Sequence, residues 1–264
     1  MLQFEAIDLQ IRDRIAWITL NRPDTLNSLT AALGRELQVA MDQIAEDPSV
    51  RCVILTGAGR GFCAGADLGA LAALEQDGVP DLRTLLRETF HPLILRVRTL
   101  QKPVLAAVNG AAVGIGCSLA IAADIVIAAE SAYFLLAFAN IGLAIDGGAS
   151  ALLVGRVGHG RASELALLAD RLSAAQALDW GLANRVVPDD ALLDEARKLG
   201  RQLSAGPPGS YAAIKQTLNA AAYPRLEEIL DLEAELQQKR AESADFAEGV
   251  RAFLEKRSAD FTGE

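Results

Sequence analysis

Residues Pro103–Ala129 read PVLAAVNGAAVGIGCSLAIAADIVIAA. Pro103-Val-Leu-Ala-Ala-Val108 is apolar at every position, the pattern of a strand buried on both faces, as in a parallel sheet. Gly110 to Gly116 is a glycine-rich turn, and Cys117 to Ala122 begins a helix. Asp124-Ile-Val-Ile-Ala-Ala129 is a second buried strand. Strand, turn, helix, strand is the grammar of an α/β fold with parallel strands. The same run is apolar enough to raise the question of a membrane span. Asn109, the glycines, Ser118 and Asp124 interrupt it, which argues against one.

Upstream, Ile15-Ala-Trp-Ile-Thr-Leu20 reads as a strand closed by Asn21-Arg-Pro23. Thr30 has the character of an N-cap, with Leu33, Leu37, Met41 and Ile44 following at helical spacing. Arg51-Cys-Val-Ile-Leu-Thr56 is the next strand and runs into a second glycine-rich turn, beginning Gly57-Ala-Gly-Arg-Gly61. A helix is expected from Asp67 to about Gln76, a loop over Asp77-Gly-Val-Pro80, and a helix from Leu82 to Leu100 kinked at Pro92. Downstream, Ser173 and Gln176 form a capping-box pattern, and Arg185-Val-Val187 reads as a short strand. From Asp189 the pattern is helical throughout, broken at Gly206-Pro-Pro-Gly209. The expected organisation is an α/β core over residues 1–188 and a C-terminal helical region over 189–264.

The 264 residues are 51% hydrophobic and 22% charged, which excludes a disordered chain. At this size roughly 70–75% of the unfolded surface can be buried, so no disulfide or metal is needed for stability. A net charge of −9 argues against a nucleic-acid partner. Three cysteines, Cys52, Cys63 and Cys117, form no short-spaced metal pattern and are expected as reduced thiols in a cytoplasmic protein. The start, MLQFEAIDLQ, lacks the charged and apolar regions of a signal peptide.

The chemistry lies in the two turns. Gly61-Phe-Cys-Ala-Gly-Ala-Asp67 and Asn109-Gly-Ala-Ala-Val-Gly-Ile-Gly116 each follow a strand and lead into a helix. Glycine lets backbone N–H groups turn toward a ligand and lets the ligand approach closely. One N–H from each turn can hold an oxygen that becomes negative during reaction, an oxyanion hole worth about 3–4 kcal/mol per donor. Neither turn is a phosphate-binding P-loop. Each also reads as a plain strand-to-helix connection, and neither alone decides between the two readings.

Together the segments resemble the crotonase family, also called the enoyl-CoA hydratase/isomerase family. The resemblance rests on Leu20-Asn-Arg-Pro23 with Asn27, Phe62-Cys-Ala-Gly-Ala-Asp-Leu68, Lys102-Pro-Val-Leu-Ala-Ala-Val-Asn-Gly110 and Gly114-Ile-Gly-Cys117. Asp124-Ile-Val-Ile-Ala128, Ile141-Gly-Leu143 and Ala175-Gln-Ala-Leu-Asp-Trp-Gly-Leu182 continue it in family order. It implies a crotonase-like α/β fold, a spiral of β-β-α units with a C-terminal helical region, assembled as a homotrimer or a dimer of trimers. It implies an acyl-CoA thioester as substrate, with coenzyme A part of that substrate and no separate cofactor. The thioester oxygen would sit between the N–H groups of Ala66 and Ile115. Arg22, Leu26, Ala64, Asp67 and Leu68 would line the coenzyme A region.

Family hydratases carry two glutamates, at positions where this chain has Ser118 and Phe138. A hydroxyl of high intrinsic pKa and a phenyl ring do not replace them, so Ser118 and Phe138 are expected to contact substrate only. Asp146, in Gly142-Leu-Ala-Ile-Asp-Gly-Gly148, remains in the right segment and resembles the aspartate of the isomerase branch. The likeness extends to the branch acting on ring-epoxide CoA thioesters of phenylacetate catabolism, through Ala137-Phe-Ala-Asn-Ile-Gly-Leu143 and the tail Arg240–Gly249. Ile145 departs from that branch, which has proline there. The resemblance thus implies an isomerase in which Asp146 moves one proton. The alternatives are an enoyl-CoA hydratase and a non-catalytic acyl-CoA-binding subunit. In isolation Asp146 also reads as a turn residue before Gly147-Gly148.

Of the two histidines, His91 is expected at the surface of a helix kink and His159 in a loop. Cys63 and Cys117 are expected as small buried thiols, and Asp67 as a helix cap. The region Leu236–Arg257, rich in charge, reads as a solvated helix face. No residue cluster suggests a metal.

Overall fold

The computed structural model describes residues 4–72, 75–76 and 79–264. Residues 1–3, 73–74 and 77–78, about which the sequence raised expectations, lie outside the described residues. In chain order the elements are β1 (Ile7–Arg12), β2 (Ile15–Leu20), α1 (Ala31–Glu46), β3 (Cys52–Gly57), β4 (Gly61–Cys63) and α2 (Leu68–Ala72). Then come β5 (Glu75–Gln76), β6 (Val79–Pro80), α3 (Leu82–Leu85), α4 (His91–Thr99), β7 (Val104–Val108), β8 (Ala111–Val113), α5 (Ile115–Ala122), β9 (Ile125–Ala129) and β10 (Tyr133–Leu135). The chain closes with α6 (Ala149–Leu168), β11 (Leu172–Ser173), α7 (Ala174–Trp180), β12 (Arg185–Val187), α8 (Leu192–Ala205), α9 (Pro208–Ala222), α10 (Leu226–Ala241) and α11 (Ala244–Glu255).

One sheet has the order β1-β2-β3-β7-β9-β12, and a second, smaller one the order β11-β10-β8-β4. All pairs from β2 to β12 in the first sheet are parallel; only the β1–β2 hairpin is antiparallel. The parallel strands β3 and β7 are buried nearly end to end, because elements cover both faces. β1 was not expected from the sequence. Its apolar Ile7, Leu9 and Ile11 alternate, but only Ile7 is fully buried, as befits an edge strand.

The two sheets are threaded by the same chain. Each long strand of the first sheet (β3, β7, β9) is followed directly by a short strand of the second (β4, β8, β10). That alternation gives the β-β-α spiral and stacks the chain reversals on one side of the core.

Helix starts follow local chemistry. Thr30 Oγ1 accepts the Leu33 N–H at 3.1 Å and caps α1. Ser173 and Gln176 exchange hydrogen bonds in a capping box at α7. Of the helix expected from Asp67 to about Gln76, Leu68–Ala72 is helical, while Glu75–Gln76 pairs with Val79–Pro80 as strands. The expected kink at Pro92 is a wide helical turn over Leu86–Phe90, continuous with α3 and α4. Proline has no N–H to bond Glu88, and widening the preceding turn accommodates its ring without breaking the helix. The glycine-rich stretch 110–116 contains the strand β8, and α5 starts at Ile115 rather than Cys117.

The C-terminal helices are tied to the core by charge as well as by apolar packing. Asp124 accepts the Val104 N–H at 2.8 Å and pairs with Lys215 Nζ of α9 at 2.8 Å. Lys215 Nζ also donates to the Val97 carbonyl at 2.9 Å. Leu226, Leu230 and Phe246 are buried, while Leu236, Phe253 and Leu254 stay exposed. The expected solvated face over Leu236–Arg257 needs correction at Gln237 and Gln238, which are buried.

Candidate active site

The spiral brings the two glycine-rich turns side by side. β4 and β8 pair in parallel, Gly61 against Ala111 and Cys63 against Ala112. A Cβ on Gly116 would fall 2.4 Å from the Cys63 carbonyl oxygen. One on Gly65, whose φ is +96°, would fall 3.0 Å from that of Val113. Backbone meets backbone here, and only glycine allows it.

This packing orients two amides. Leu29 bridges Ala66 in parallel, through Leu29 N–H to Gly65 O at 2.7 Å and Asp67 N–H to Leu29 O at 2.9 Å. A parallel bridge uses the groups flanking Ala66, so Ala66's own N–H points to the opposite side. Ile115 opens α5, so its N–H is among those with no intrahelical acceptor, at the positive end of the helix dipole. Among the described residues neither N–H has an acceptor. Ala66 and Ile115 both line a cavity of about 520 Å³.

The cavity is largely apolar. Leu82, Leu85, Leu86 and Phe90 form one wall, and Leu135, Phe138, Ile141 and Leu143 face them. Of the residues singled out in the sequence, Ala64, Ala66, Asp67, Leu68, Ile115, Phe138 and Asp146 line it. Three do not. Arg22 pairs with Asp67 at 3.0 Å and donates to the Ser28 carbonyl, bracing the first turn from outside. Leu26 accepts the Ala64 N–H at 2.9 Å through its carbonyl. Ser118 is fully buried and donates its hydroxyl to the Asp146 carbonyl at 2.8 Å. The expected substrate contact of Ser118 is thereby corrected to a brace on the Asp146 loop, because α5 turns its side chain inward.

Asp146 stands in the wall of the same cavity as Ile115. Gly147 has φ +66°, and a Cβ there would meet Ile115 Cδ1 at 2.3 Å and Ser118 Cβ at 2.8 Å. The loop carrying Asp146 is thus pressed onto the start of α5. Asp146 is only 7% exposed. Its Oδ2 accepts from Gln237 Nε2 at 2.8 Å, and its buried Oδ1 has no partner among the described residues. Burial pushes the Asp146 carboxyl up to about 8; the nearby Glu233 charge adds to this and the Gln237 hydrogen bond opposes it. A carboxyl with this proton affinity can both hold and release a proton near neutral pH.

Asp67, a second carboxylate among the described residues of the cavity wall, is paired with Arg22, and its Oδ1 accepts the Ala70 N–H at 3.2 Å, capping α2. Burial raises its proton affinity, but the Arg22, Ala70 and Ser28 hydrogen bonds outweigh that and hold the carboxyl below its usual range.

Glu233 and Gln237 of α10 were missed from sequence, where their helix read as a surface amphipath. The available signal was weak: two polar residues at a spacing of four, in register with Leu226 and Leu230. His91 is buried rather than at the surface, and burial, helped by the Arg87 charge, lowers it to about 4. His159 is exposed beside the helix break at Gly158. Cys52, Cys63 and Cys117 are buried and unpaired, and burial pushes each thiol up to about 12. Among the described residues no group of three His, Cys, Asp or Glu side chains is placed to hold a metal. No helix among them is long and apolar enough to cross a membrane.

Comparison with known proteins agrees with this architecture. Residues 10–264 match the model of the family described as Enoyl-CoA hydratase/isomerase. The chain is 44% identical to the 1,2-epoxyphenylacetyl-CoA isomerase of Escherichia coli (strain K12), over 98% of this chain and 99% of the relative. It is also 44% identical to a probable enoyl-CoA hydratase of Rhodobacter capsulatus, over 99% of this chain and all of the relative. The crystal structure of an enoyl-CoA hydratase from Mycobacterium avium subsp. paratuberculosis K-10 superposes with a TM-score of 0.90 at 40% identity. That match covers 98% of this chain and 100% of the other. With the paired glycine turns, the spiral of short and long strands and a match along nearly the whole chain, this protein belongs to the enoyl-CoA hydratase/isomerase family, whose fold and enzyme class it shares.

Proposed function

We propose that this protein is an acyl-CoA isomerase in which Asp146 moves one proton along the acyl chain. The observation that carries the reading is a buried carboxyl in the wall of a largely apolar cavity, without a cationic partner among the described residues; burial pushes it up to about 8. The same cavity is lined by Ala66 and Ile115, whose amides lack acceptors among the described residues. The N–H groups of Ala66 and Ile115 receive the thioester oxygen. With a 3-enoyl thioester, Asp146 takes a proton from C2, and the electron pair enters the dienolate held by the two amides. The same proton returns at C4, and the double bond ends between C2 and C3. No water is consumed and nothing leaves.

Ala64, Asp67, Leu68 and Phe138 contribute to the substrate wall, while Arg22 and Leu26 support it from behind. The names of two relatives point to two chemistries. The epoxyphenylacetyl-CoA isomerase favours a ring-epoxide thioester as the natural substrate. The hydratase-named relatives keep hydration as the second reading. Against hydration stand Ser118, whose hydroxyl is already donated to Asp146, and Phe138, which cannot titrate.

Coenzyme A enters as part of the substrate, with no separate cofactor. Residues 1–188 serve as the catalytic core and 189–264 as a helical region. The apolar side chains that region leaves exposed, Phe253 at 61% and Leu254 at 68%, support assembly as a homotrimer or dimer of trimers. Buried, unpaired cysteines support a cytoplasmic location. The test is turnover of a 3-enoyl-CoA and of crotonyl-CoA by wild type and Asp146→Asn. Conversion of the 3-enoyl ester without gain of mass, lost in the variant, is expected. Addition of water to crotonyl-CoA by a variant as active as wild type would sink the proposal.

A further inference from the structure

Helix α10 reaches the Asp146 loop with two side chains one turn apart. Gln237 Nε2 donates to Asp146 Oδ2 at 2.8 Å. Glu233, 4% exposed, accepts the Gly148 N–H at 2.7 Å, the Ser150 N–H at 3.1 Å and the Ser150 hydroxyl. Neither residue belongs to the oxyanion hole, and Glu233 does not line the cavity. Asp146 and Gln237 thus stand in the cavity wall, and Glu233 is buried behind it against the same loop.

We propose that Glu233 and Gln237 are positioning residues that act on Asp146 in opposite senses, Glu233 strengthening and Gln237 weakening its hold on the proton. This rests on the reading that Asp146 moves the proton. Three donors converge on Glu233 and one on Asp146, so where the pair carries a single proton it sits on Asp146. The negative charge then left on Glu233 opposes ionisation of Asp146. The Gln237 N–H favours that ionisation and fixes Oδ2; Asp146 Oδ1 and Gln237 Oε1 have no partner among the described residues.

Among the described residues, the other elements around Asp146 supply little competing charge. α5 offers Ile115 and the Ser118 hydroxyl, which is taken by the Asp146 backbone. The helix from Leu82 offers leucines and Phe90 to the cavity, while Arg83 and Arg87 pair with Asp231 and Glu235 on the outer side of α10. His91 behind Phe90 is lowered to about 4 and is neutral at the pH of interest. On the far wall Asp67 is neutralised by Arg22, and Arg171 stacks on Tyr133. α6 presents the Ser150 hydroxyl to Glu233.

The test uses the full-length protein and its Glu233→Gln, Gln237→Met and Asp146→Asn variants. The Asp146 carboxyl is titrated by infrared difference spectroscopy against Asp146→Asn, and the acid limb of kcat for a 3-enoyl-CoA is recorded. Glu233→Gln should move the titration and the limb down by about one pH unit, and Gln237→Met should move both up by about half a unit or more. A residue that only supports the fold would lower kcat at every pH without moving the midpoint. Midpoints that stay with wild type, or move in the same direction in both variants, overturn the proposal. If Glu233→Gln does not fold, Gln237→Met decides alone: an unmoved or lowered midpoint overturns it. Full activity of Asp146→Asn instead overturns the reading of Asp146 itself, and the carboxyl titration still reports on the pair.

Discussion

Replacing Asp146 by asparagine should stabilise the protein while it abolishes turnover, and the stabilisation should grow with pH. Folding raises the Asp146 pKa from 3.8 to about 8. The native chain therefore holds a proton that the unfolded chain has released across the interval between those values. A raised pKa contributes stability that is fully present below the unfolded value and is lost as pH rises through the folded one. Each pH unit in that interval costs the native state about 1.4 kcal/mol. At neutral pH the accumulated cost has an upper bound of roughly 4 kcal/mol, and relaxation of the buried site brings it to about 2–4 kcal/mol. Asparagine carries no such penalty and keeps the shape of the side chain. Urea unfolding of both proteins, at one fixed protein concentration and in steps from about pH 5 to about pH 9, reads the difference directly. The variant should gain on wild type with rising pH and then run parallel to it above the folded pKa. Curves that stay parallel throughout would show that Asp146 is ionised in the native state and would refute a proton affinity raised by burial.

Three further outcomes follow from the same geometry. Gly147→Ala places a Cβ 2.8 Å from Ser118 Cβ at a φ of +66°, a clash that rotation of the Ile115 side chain does not relieve, so the Asp146 loop shifts against α5. Steady-state assays should show turnover reduced by about 100-fold or more, with circular dichroism unchanged. Ser118→Ala removes the hydroxyl bonded to the Asp146 carbonyl, which keeps its bond from the Ala149 N–H. Denaturant titration should show a loss of about 1 kcal/mol, and kcat should fall while KM stays constant. Cys52, Cys63 and Cys117, all buried with thiols pushed up to about 12, should resist a disulfide thiol reagent at mildly alkaline pH in the native protein. All three should react once guanidinium unfolds it.

Much of the architecture is written locally. The uninterrupted apolar runs at Val104–Val108 and Ile125–Ala129 require cover on both faces, and that requirement fixes parallel strands with helices between them. Thr30, Ser173 and Gln176 mark helix starts because a side-chain oxygen must serve the free N–H groups of the first turn. The short elements were less legible. β4, β8 and β10 have three residues each, too few for a period of two to show against glycine-rich surroundings. The pairing of Glu75–Gln76 with Val79–Pro80 and the wide turn before Pro92 depend on what the chain packs against, which no local propensity records.

The same division runs through the candidate site. The sequence by itself determined which backbone positions lie in glycine turns after strands, that no glutamate stands at Ser118 or Phe138, and that Asp146 is the acid left in its segment. It also favoured small buried thiols at Cys63 and Cys117, because cysteine is among the most often buried residue types. Only the tertiary structure decided that the two turns meet, because the contact of Gly65 with Val113 joins residues far apart in the chain. Only it decided that Ser118 braces a loop, that His91 is buried, and that Glu233 and Gln237 stand behind Asp146. The physical reason is that proton affinity and side-chain role are properties of surroundings. Burial, a like charge and a single hydrogen bond come to Asp146 from a helix about 90 residues further along the chain, brought there by packing of the whole core.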